Sequence, residues 1–410
     1  MGDSGNMKIL VINCGSSSLK YQLIDMQDES VICSGICDRI GNPASSSITY
    51  KTGDKKYKID VEFPTHTEAF LKLVEMMTSG ESKVIEDKSE IDAIGHRIVQ
   101  GAEFFKHSEL VNEAVINKID EISPLAPVHN HAHVQGLRCA EQIFGDVPNV
   151  VVFDTTFHQT MPPKAYMFGI PYEYYEKYHI RRYGAHGTSH KYVSGIASEL
   201  MGRKDLKIVT CHLGNGSSIS AVKNGECIDT SMGLTPLGGV TMGTRTGDLD
   251  PSVVCEISKI TGLAGNDLSN YLNKQCGFLG MTKGFSSDKR DLELAVADPD
   301  DPNNELSTIA SDVYDYQIKK YIGAYAAAMG GIDCLVFTGG IGENDINVRK
   351  DACEDMEFLG IKIDLEKNNR KARGEILDLS VPGSRCKVYV IPTNEELAIA
   401  RETQSLVNAK

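Results

Sequence analysis

Short apolar runs at residues 8–13, 91–94, 149–153, 207–211, 332–338 and 387–391 alternate with longer amphipathic stretches near 129–144, 190–201, 305–329 and 394–407. Runs of strand length interleaved with patterns of helical period predict an α/β protein. The first 62 residues are strand-rich, and Asn224-Gly225 between two alternating segments is a strong hairpin signal, so the sheets are expected to be mixed. This favours a hairpin-containing nucleotide fold over a wholly parallel dinucleotide-binding one. Ser189 is placed to cap a helix from His190, Asn394 and Glu395 to open the last helix, and Asp154 to Gln159 to form a polar loop after a strand. Residues 295–305 are acidic and predict a surface loop. Residues 233–247 are too glycine-rich for regular structure and too apolar for a disordered linker, which predicts an ordered loop lining a ligand site.

Two of the strands run into Gly/Ser turns and out into a second strand, at residues 8–25 and 207–222, and a third strand ends in a glycine turn at 334–344. Small residues in such turns let backbone N–H groups approach an anion while Ser and Asn donate to it. Three phosphate-type turns on separate strands point to a nucleotide. Neither of the common nucleotide signatures is present: no segment has the spacing G-x-x-x-x-G-K-[ST], and Gly340 and Gly342 are followed by Glu343, Asn344 and Asp345 rather than by the third glycine of a dinucleotide fingerprint.

Composition narrows the classes further. At 410 residues, two domains with a cleft between them are expected. Lys plus Arg total 42 against 56 Asp plus Glu, a net charge of −14, which argues against nucleic acid or an anionic membrane as the main partner. Positive charge for an anionic substrate must then be local. Eleven cysteines without a C-x-x-C pair read as reduced, buried thiols of a cytoplasmic protein, and neither a signal-peptide core nor a membrane-length apolar run is evident. Asn215-Gly216-Ser217 matches a glycosylation sequon, which the cytoplasmic reading makes incidental. His129, His131 and His133 form H-x-H-x-H, but a helix is predicted there and residues two apart do not share a helix face, so zinc is not expected.

Specific strings then identify a resemblance: NCGSSSLKY (13–21), GHRIVQG (95–101), VFDTTFHQTMP (152–162), RRYGAHGTSH (181–190), HLGNGSS (212–218), DTSMG (229–233), MGTRTGDLDP (242–251), TGGIGEN (338–344) and PTNEEL (392–397). In this order, over the whole chain from residue 7, they resemble the acetate kinase family of the actin, sugar-kinase and chaperone-ATPase superfamily. The resemblance implies two actin-like, ribonuclease H-like domains with mixed sheets. Their expected extents are 1–154, with the helix 394–410 packing back on it, and 155–393. It also implies a homodimer and magnesium-dependent phosphoryl transfer between ATP and acetate, giving ADP and acetyl phosphate, with manganese as a substitute metal.

The same resemblance implies the site. Arg97 and Arg245 face the anionic substrate through forked donors, His186 stabilises the planar phosphoryl group, and Asp154 is the catalytic aspartate at its strand end. His129 falls near the substrate, and Val99 and Pro236 look like apolar walls around the methyl group. Asn13 and Glu395 match magnesium-linked positions. For the nucleotide, Lys20 and the turn His212, Leu213, Gly214, Asn215 and Gly216 belong near the phosphates. Gly340, Ile341, Gly342, Glu343 and Asn344, with Asp288, Lys289 and Arg290, belong near the adenosine. Gln100, Ala102, His131 and Ala185 depart from the family pattern and bear on acyl-chain range, since a small residue beside His186 leaves room for a longer acid. A propionate or butyrate kinase is the nearest alternative. A non-kinase actin-like ATP-binding protein would lack the carboxylate-binding arginines, and a phosphatase of the superfamily would lack an acyl pocket.

Overall fold

The computed structural model describes residues 6–409; the first five residues, which belong to the N-terminal segment read above for a leader, and Lys410 lie outside the described residues. The chain divides into two compact units, one of residues up to Thr156 together with those from Asn394 onward, the other Phe157–Thr393.

The first unit opens with an antiparallel meander, β1 (Lys8–Cys14), β2 (Ser18–Asp25), β3 (Ser30–Asp38), β4 (Ser47–Thr52) and β5 (Lys55–Asp60). After it come β6 (Ala93–Ile98), the short edge strand β7 (Glu109–Leu110) and β8 (Asn149–Phe153). The eight strands lie in the order β5-β4-β3-β2-β1-β6-β8-β7, with β1 antiparallel to β2 but parallel to β6, and β6 parallel to β8. Strand β8 is buried along its whole length, as an unbroken apolar run inside a sheet covered on both faces should be. One face packs Leu10, Ile12, Leu19 and Leu23 against Phe70 and Leu73 of the helix His66–Thr78 and Phe144 of the helix Asn130–Phe144. On the other, Ile9, Val11, Val150 and Val152 meet Leu397, Ile399 and Ala400 of the C-terminal helix Glu395–Asn408. Gly95 makes that second contact possible: a Cβ there would stand 2.5 Å from Thr403 Oγ1 and 2.7 Å from Ile399 Cγ2. Asn394 caps this helix through Leu397 N at 3.0 Å, as its sequence predicts.

The second unit repeats the plan. Strands β9 (Lys207–Leu213), β10 (Ser217–Lys223), β11 (Glu226–Thr230), β12 (Cys334–Thr338), β13 (Leu377–Asp378) and β14 (Lys387–Val390) lie in the order β11-β10-β9-β12-β14-β13. Strand for strand, the order and directions match β3-β2-β1-β6-β8-β7, so the internal duplication suggested by the two Gly/Ser turns is a duplication of topology. Asn224 and Gly225 both have positive φ, 54° and 81°, the conformation that a two-residue hairpin between right-twisted strands requires. The long helix Asn304–Met329 covers one face through Tyr314, Ile318 and Ile322, and the helix Gly187–Met201 covers the other through Val193 and Ala197.

Two local expectations are corrected. The helix predicted to start at His190 begins at Gly187, and Ser189 does not cap it; the Ser189 hydroxyl is buried and faces His212 Nδ1 at 2.7 Å and Thr393 Oγ1 at 2.8 Å. The hydroxyl, buried between these two polar neighbours, hydrogen-bonds to distant segments rather than to the helix start. The third glycine turn closes into a short helix, Gly339–Asn344, because Gly339 adopts φ +79° and the following residues stack onto the end of β12.

Candidate active site

In the first unit the parallel strands β1, β6 and β8 end together, and their ends carry the charged groups. Asp154, one residue beyond β8, is 1% exposed and accepts a forked pair of bonds from Arg97 of β6: Nε to Oδ1 at 3.0 Å and Nη2 to Oδ2 at 2.6 Å. Both carboxylate oxygens are thereby engaged, so Asp154 orients Arg97 and, by its charge, holds that guanidinium protonated. Arg97, Asn13, Lys20 and Glu395 line one cavity of about 340 Å³. Burial, with Asp154 and Glu396 adding like charge, pushes the Glu395 carboxyl up to about 7, while Arg97 acts against the rise. An amide oxygen and a carboxylate held beside other acids suit a hard divalent cation, whose charge would relieve the same repulsion; the donors at Asn13 and Glu395 therefore fit magnesium.

His133, absent from the sequence-derived site, ties these strand ends together. Its Nδ1 lies 2.9 Å from Cys14 O and its Nε2 accepts the Val99 N–H at 3.3 Å. That pairing fixes a neutral tautomer with the proton on Nδ1, and burial and the Arg97 charge push its pKa down to about 3. Its ring lies 6.4 Å from that of half-buried His129, whereas His131 is exposed beside Asp120. Only the helical period of the pattern, burying every third or fourth residue, could have separated His133 from His131 in the sequence. The cavity also takes in Gln22, Ser34, Thr49 and Lys51, which alternate along β2 to β4 with the core positions Leu23, Cys33, Ile48 and Tyr50. Val99 is buried beside His133.

In the second unit the β9–β10 hairpin supplies a cradle. His186 sits at the N-terminus of its helix with φ +59°, an unfavourable conformation for a residue other than glycine, and its ring stacks on that of His212 at 4.3 Å between centroids. A Cβ placed on Gly216 would be 3.0 Å from His186 Nε2 and 3.5 Å from Arg245 Nη1, so the bare backbone of Gly216, His186 and Arg245 border one small space. Arg245 Nη1 donates to Pro236 O at 3.1 Å, and no carboxylate lies within ion-pairing distance among the described residues. Burial lowers its pKa, the mark of a cation held without its counter-charge. The two arginines thus differ: Arg97 is neutralised, Arg245 is not. Ala185 is 2% exposed and packs in one buried apolar cluster with Met232 and Met242.

The two glycine turns of this unit meet. A Cβ on Gly339 would lie 2.5 Å from Leu213 O, so the first turn of the helix Gly339–Asn344 rests directly against the residues from His212 to Gly216. At the far end of that helix, Asn344 lines a cavity of about 860 Å³ together with Arg290. Asp288 caps the helix Lys289–Ala297 and holds Arg290 by a forked pair. Lys289 does not reach the cavity: it is buried and its ammonium faces Asp345. Gly340, Ile341, Gly342 and Glu343 lie along the connecting helix, with Glu343 half-buried and its carboxyl raised by burial.

The comparisons with known proteins agree with this geometry. A family model described as the acetokinase family matches residues 8–401. The acetate kinase of Thermotoga maritima is 53% identical over 403 residues, covering 98% of this chain and 99% of its own. That of Clostridium acetobutylicum is 49% identical with the same coverage. Among solved structures, Porphyromonas gingivalis acetate kinase superposes with a TM-score of 0.93 at 43% identity, covering 98% of this chain and all of its own. A propionate kinase from Francisella tularensis gives 0.89 at 40%, with the same coverage.

Proposed function

The chain belongs to the acetokinase family, and from that premise we propose that it transfers the γ-phosphoryl group of ATP reversibly and in line to acetate, giving acetyl phosphate and ADP. The observation that carries the reading is the space bordered by His186, Arg245 and Gly216: an uncompensated guanidinium and an imidazole beside a backbone turn, a set of donors aimed where phosphoryl charge would develop. One acetate oxygen forms the new bond to Pγ as the bond from Pγ to the β,γ-bridging oxygen breaks, and ADP leaves with that electron pair. Acetate is already ionised at neutral pH, so no general base is needed. This is consistent with Asp154 having both oxygens committed to Arg97.

The roles divide between the units. Arg97, fixed by Asp154, presents its remaining N–H donors for the carboxylate, with Val99 and His129 near it; His186 and Arg245 hold the transferring group. The turn from His212 to Gly216 carries the nucleotide phosphates, and the cavity lined by Arg290 and Asn344 carries the nucleoside. Asn13 and Glu395 would hold magnesium, which when bound supplies charge neutralisation of the phosphate oxygens. Met232 and Met242 beside Ala185 support acetate over longer acids. A homodimer is supported by the helices Pro251–Thr261 and Gly265–Lys274, both amphipathic, of which only Leu272 is buried. A cytoplasmic setting is supported by eleven free cysteines, nine of them buried. Among the described residues no helix is long and apolar enough to cross a membrane.

The test is acetyl hydroxamate formation from purified protein, ATP, acetate, magnesium and hydroxylamine, repeated with propionate and butyrate. Product that requires both ATP and acetate, with kcat/KM falling along the acid series, supports the reading. Butyrate turnover equal to acetate would assign a longer-chain kinase, and ATP loss without acyl product a phosphatase.

A further inference from the structure

The backbone on either side of Arg245 is bonded to the end of the helix Gly265–Lys274 and to the short helix Gly277–Met281 that follows it. The last carbonyls of a helix have no partner inside it. Here Leu272 O accepts the Thr246 N–H at 3.2 Å, and Asn273 O accepts the Thr244 hydroxyl at 2.7 Å. Just beyond, Cys276 N donates to Thr244 O at 3.1 Å, Phe278 N to Met242 O at 2.9 Å and Leu279 N to Gly243 O at 3.0 Å, while Met242 N closes the loop on Arg245 O at 3.0 Å. Gly277 permits the approach. It has φ +59°, and a Cβ there would stand 2.0 Å from Met242 O and 2.8 Å from both the backbone N and O of Arg245. The same support carries the phosphate turn: buried Phe278 meets Tyr314 edge to face at 5.2 Å between centroids, and the Tyr314 hydroxyl lies 2.8 Å from Ser217 Oγ, which donates to Gly214 O at 3.2 Å.

We propose that Thr244 is a positioning residue for phosphoryl transfer: by capping the helix Gly265–Lys274, its hydroxyl fixes the backbone from which Arg245 reaches the transferring group. The proposal rests on the reading of Arg245 as a ligand of that group. The two arginines of the site are aimed by different means. Arg97 takes its direction from the forked pair with Asp154. Arg245 has no carboxylate within ion-pairing distance among the described residues, and its Nη1 donates to a backbone carbonyl, Pro236 O, at 3.1 Å. Its direction is therefore inherited from the loop, and the loop is held by the bonds to residues 272–279. Valine at position 244 has the shape of threonine without the hydroxyl, so Asn273 O loses its donor and the backbone beside Arg245 loses a restraint. Serine keeps the bond. A displacement at the reacting centre acts on the rate of transfer, because His186, Arg245 and the bare backbone of Gly216 border one small space.

The experiment measures kcat, KM for ATP and KM for acetate by acetyl hydroxamate formation, beside thermal melts, for the unmodified protein, Thr244→Val, Thr244→Ser, Arg245→Ala and the double variant Thr244→Val with Arg245→Ala. Thr244→Val should lower kcat about tenfold or more and leave the KM for ATP within about twofold, the split expected when a transition-state contact is displaced. Thr244→Ser should recover most of the loss. In the Arg245→Ala background, Thr244→Val should change kcat/KM by less than about twofold, since no guanidinium is left to misplace. A Thr244→Val enzyme as fast as the unmodified one, whatever its melting temperature, would overturn the proposal. So would a serine variant as slow as the valine one, or the full loss repeated without Arg245. Should Thr244→Val not fold, Thr244→Ala takes its place in each comparison; should Arg245→Ala be too slow to measure, the contrast between valine and serine at equal melting temperature decides. Acyl phosphate formed at full rate by Thr244→Val removes only this proposal, whereas absence of that product from the unmodified protein removes the kinase reading itself.

Discussion

At the scale of single residues, the space between His186 and Arg245 is kept open by one missing methyl group. Gly216 has no positive φ to protect, so Ala is acceptable to the backbone, but its Cβ would press on His186 Nε2 at 3.0 Å. Gly216→Ala is therefore expected to lower kcat/KM about a hundredfold, the usual effect of a small misplacement at a reacting centre, with little change in melting temperature. Activity assays and thermal melts on the same preparation check both halves. Glu395 makes a second prediction. Its folded pKa of about 7 lies above the carboxyl value of about 4.3 in an unfolded chain, so the folded state binds the extra proton and loses stability as pH rises from 4.3 through 7. With divalent metal chelated, Glu395→Gln should melt above the unmodified protein at pH 8, and the difference should vanish near pH 4. Magnesium should stabilise the unmodified protein at pH 8 and leave the variant unmoved; equal stabilisation of both would take Glu395 out of the metal site.

Elements position these residues through few, identifiable contacts. His133 on the helix Asn130–Phe144 satisfies the Cys14 carbonyl and the Val99 N–H at once, and so fixes the ends of the strands bearing Asn13 and Arg97. His133→Leu should cost about 2–3 kcal/mol, because two buried backbone groups lose their partner; it should also raise KM for acetate. His133→Gln, which can donate and accept, should recover part of both. Denaturant unfolding and steady-state kinetics measure the two effects. Gly339 plays the corresponding part in the second unit, where its bare Cα lets the helix Gly339–Asn344 rest on Leu213. Gly339→Ala meets both a left-handed φ of +79° and a backbone oxygen at 2.5 Å, and is expected to lose more stability than Gly340→Ala, whose Cβ would meet nothing.

At the scale of the molecule, one topology is used twice, and the two copies carry different chemistry on equivalent strand ends. β1 and β6 present Asn13 and Arg97, and β9 and β12 lead into the turn from His212 to Gly216 and the helix Gly339–Asn344. The helix Pro251–Thr261 buries none of its residues and carries the exposed apolar side chains Val253 and Ile260, the latter at 81% exposure. Sedimentation should give twice the chain mass of 44.8 kDa, and Ile260→Glu should shift the equilibrium toward monomer at low concentration. A monomeric unmodified protein would remove the dimer.

The sequence by itself determined what depends on local backbone chemistry and on period. The strand runs, the Asn224-Gly225 hairpin, the Asn394 cap and the two Gly/Ser turns were legible because each is set by residues adjacent in the chain. Motif strings carried the resemblance and with it the candidate side chains. What needed tertiary structure was pairing between distant segments. Only the fold shows Arg97 spent on Asp154 while Arg245 stands uncompensated, Lys289 turned inward to Asp345, and Ala185 clustered with Met232 and Met242. Ser189 was misread for the same reason: its partners, His212 and Thr393, are 23 and 204 residues away. Charge and burial are properties of a neighbourhood in space, and a one-dimensional pattern fixes that neighbourhood only where the chain itself is the neighbour.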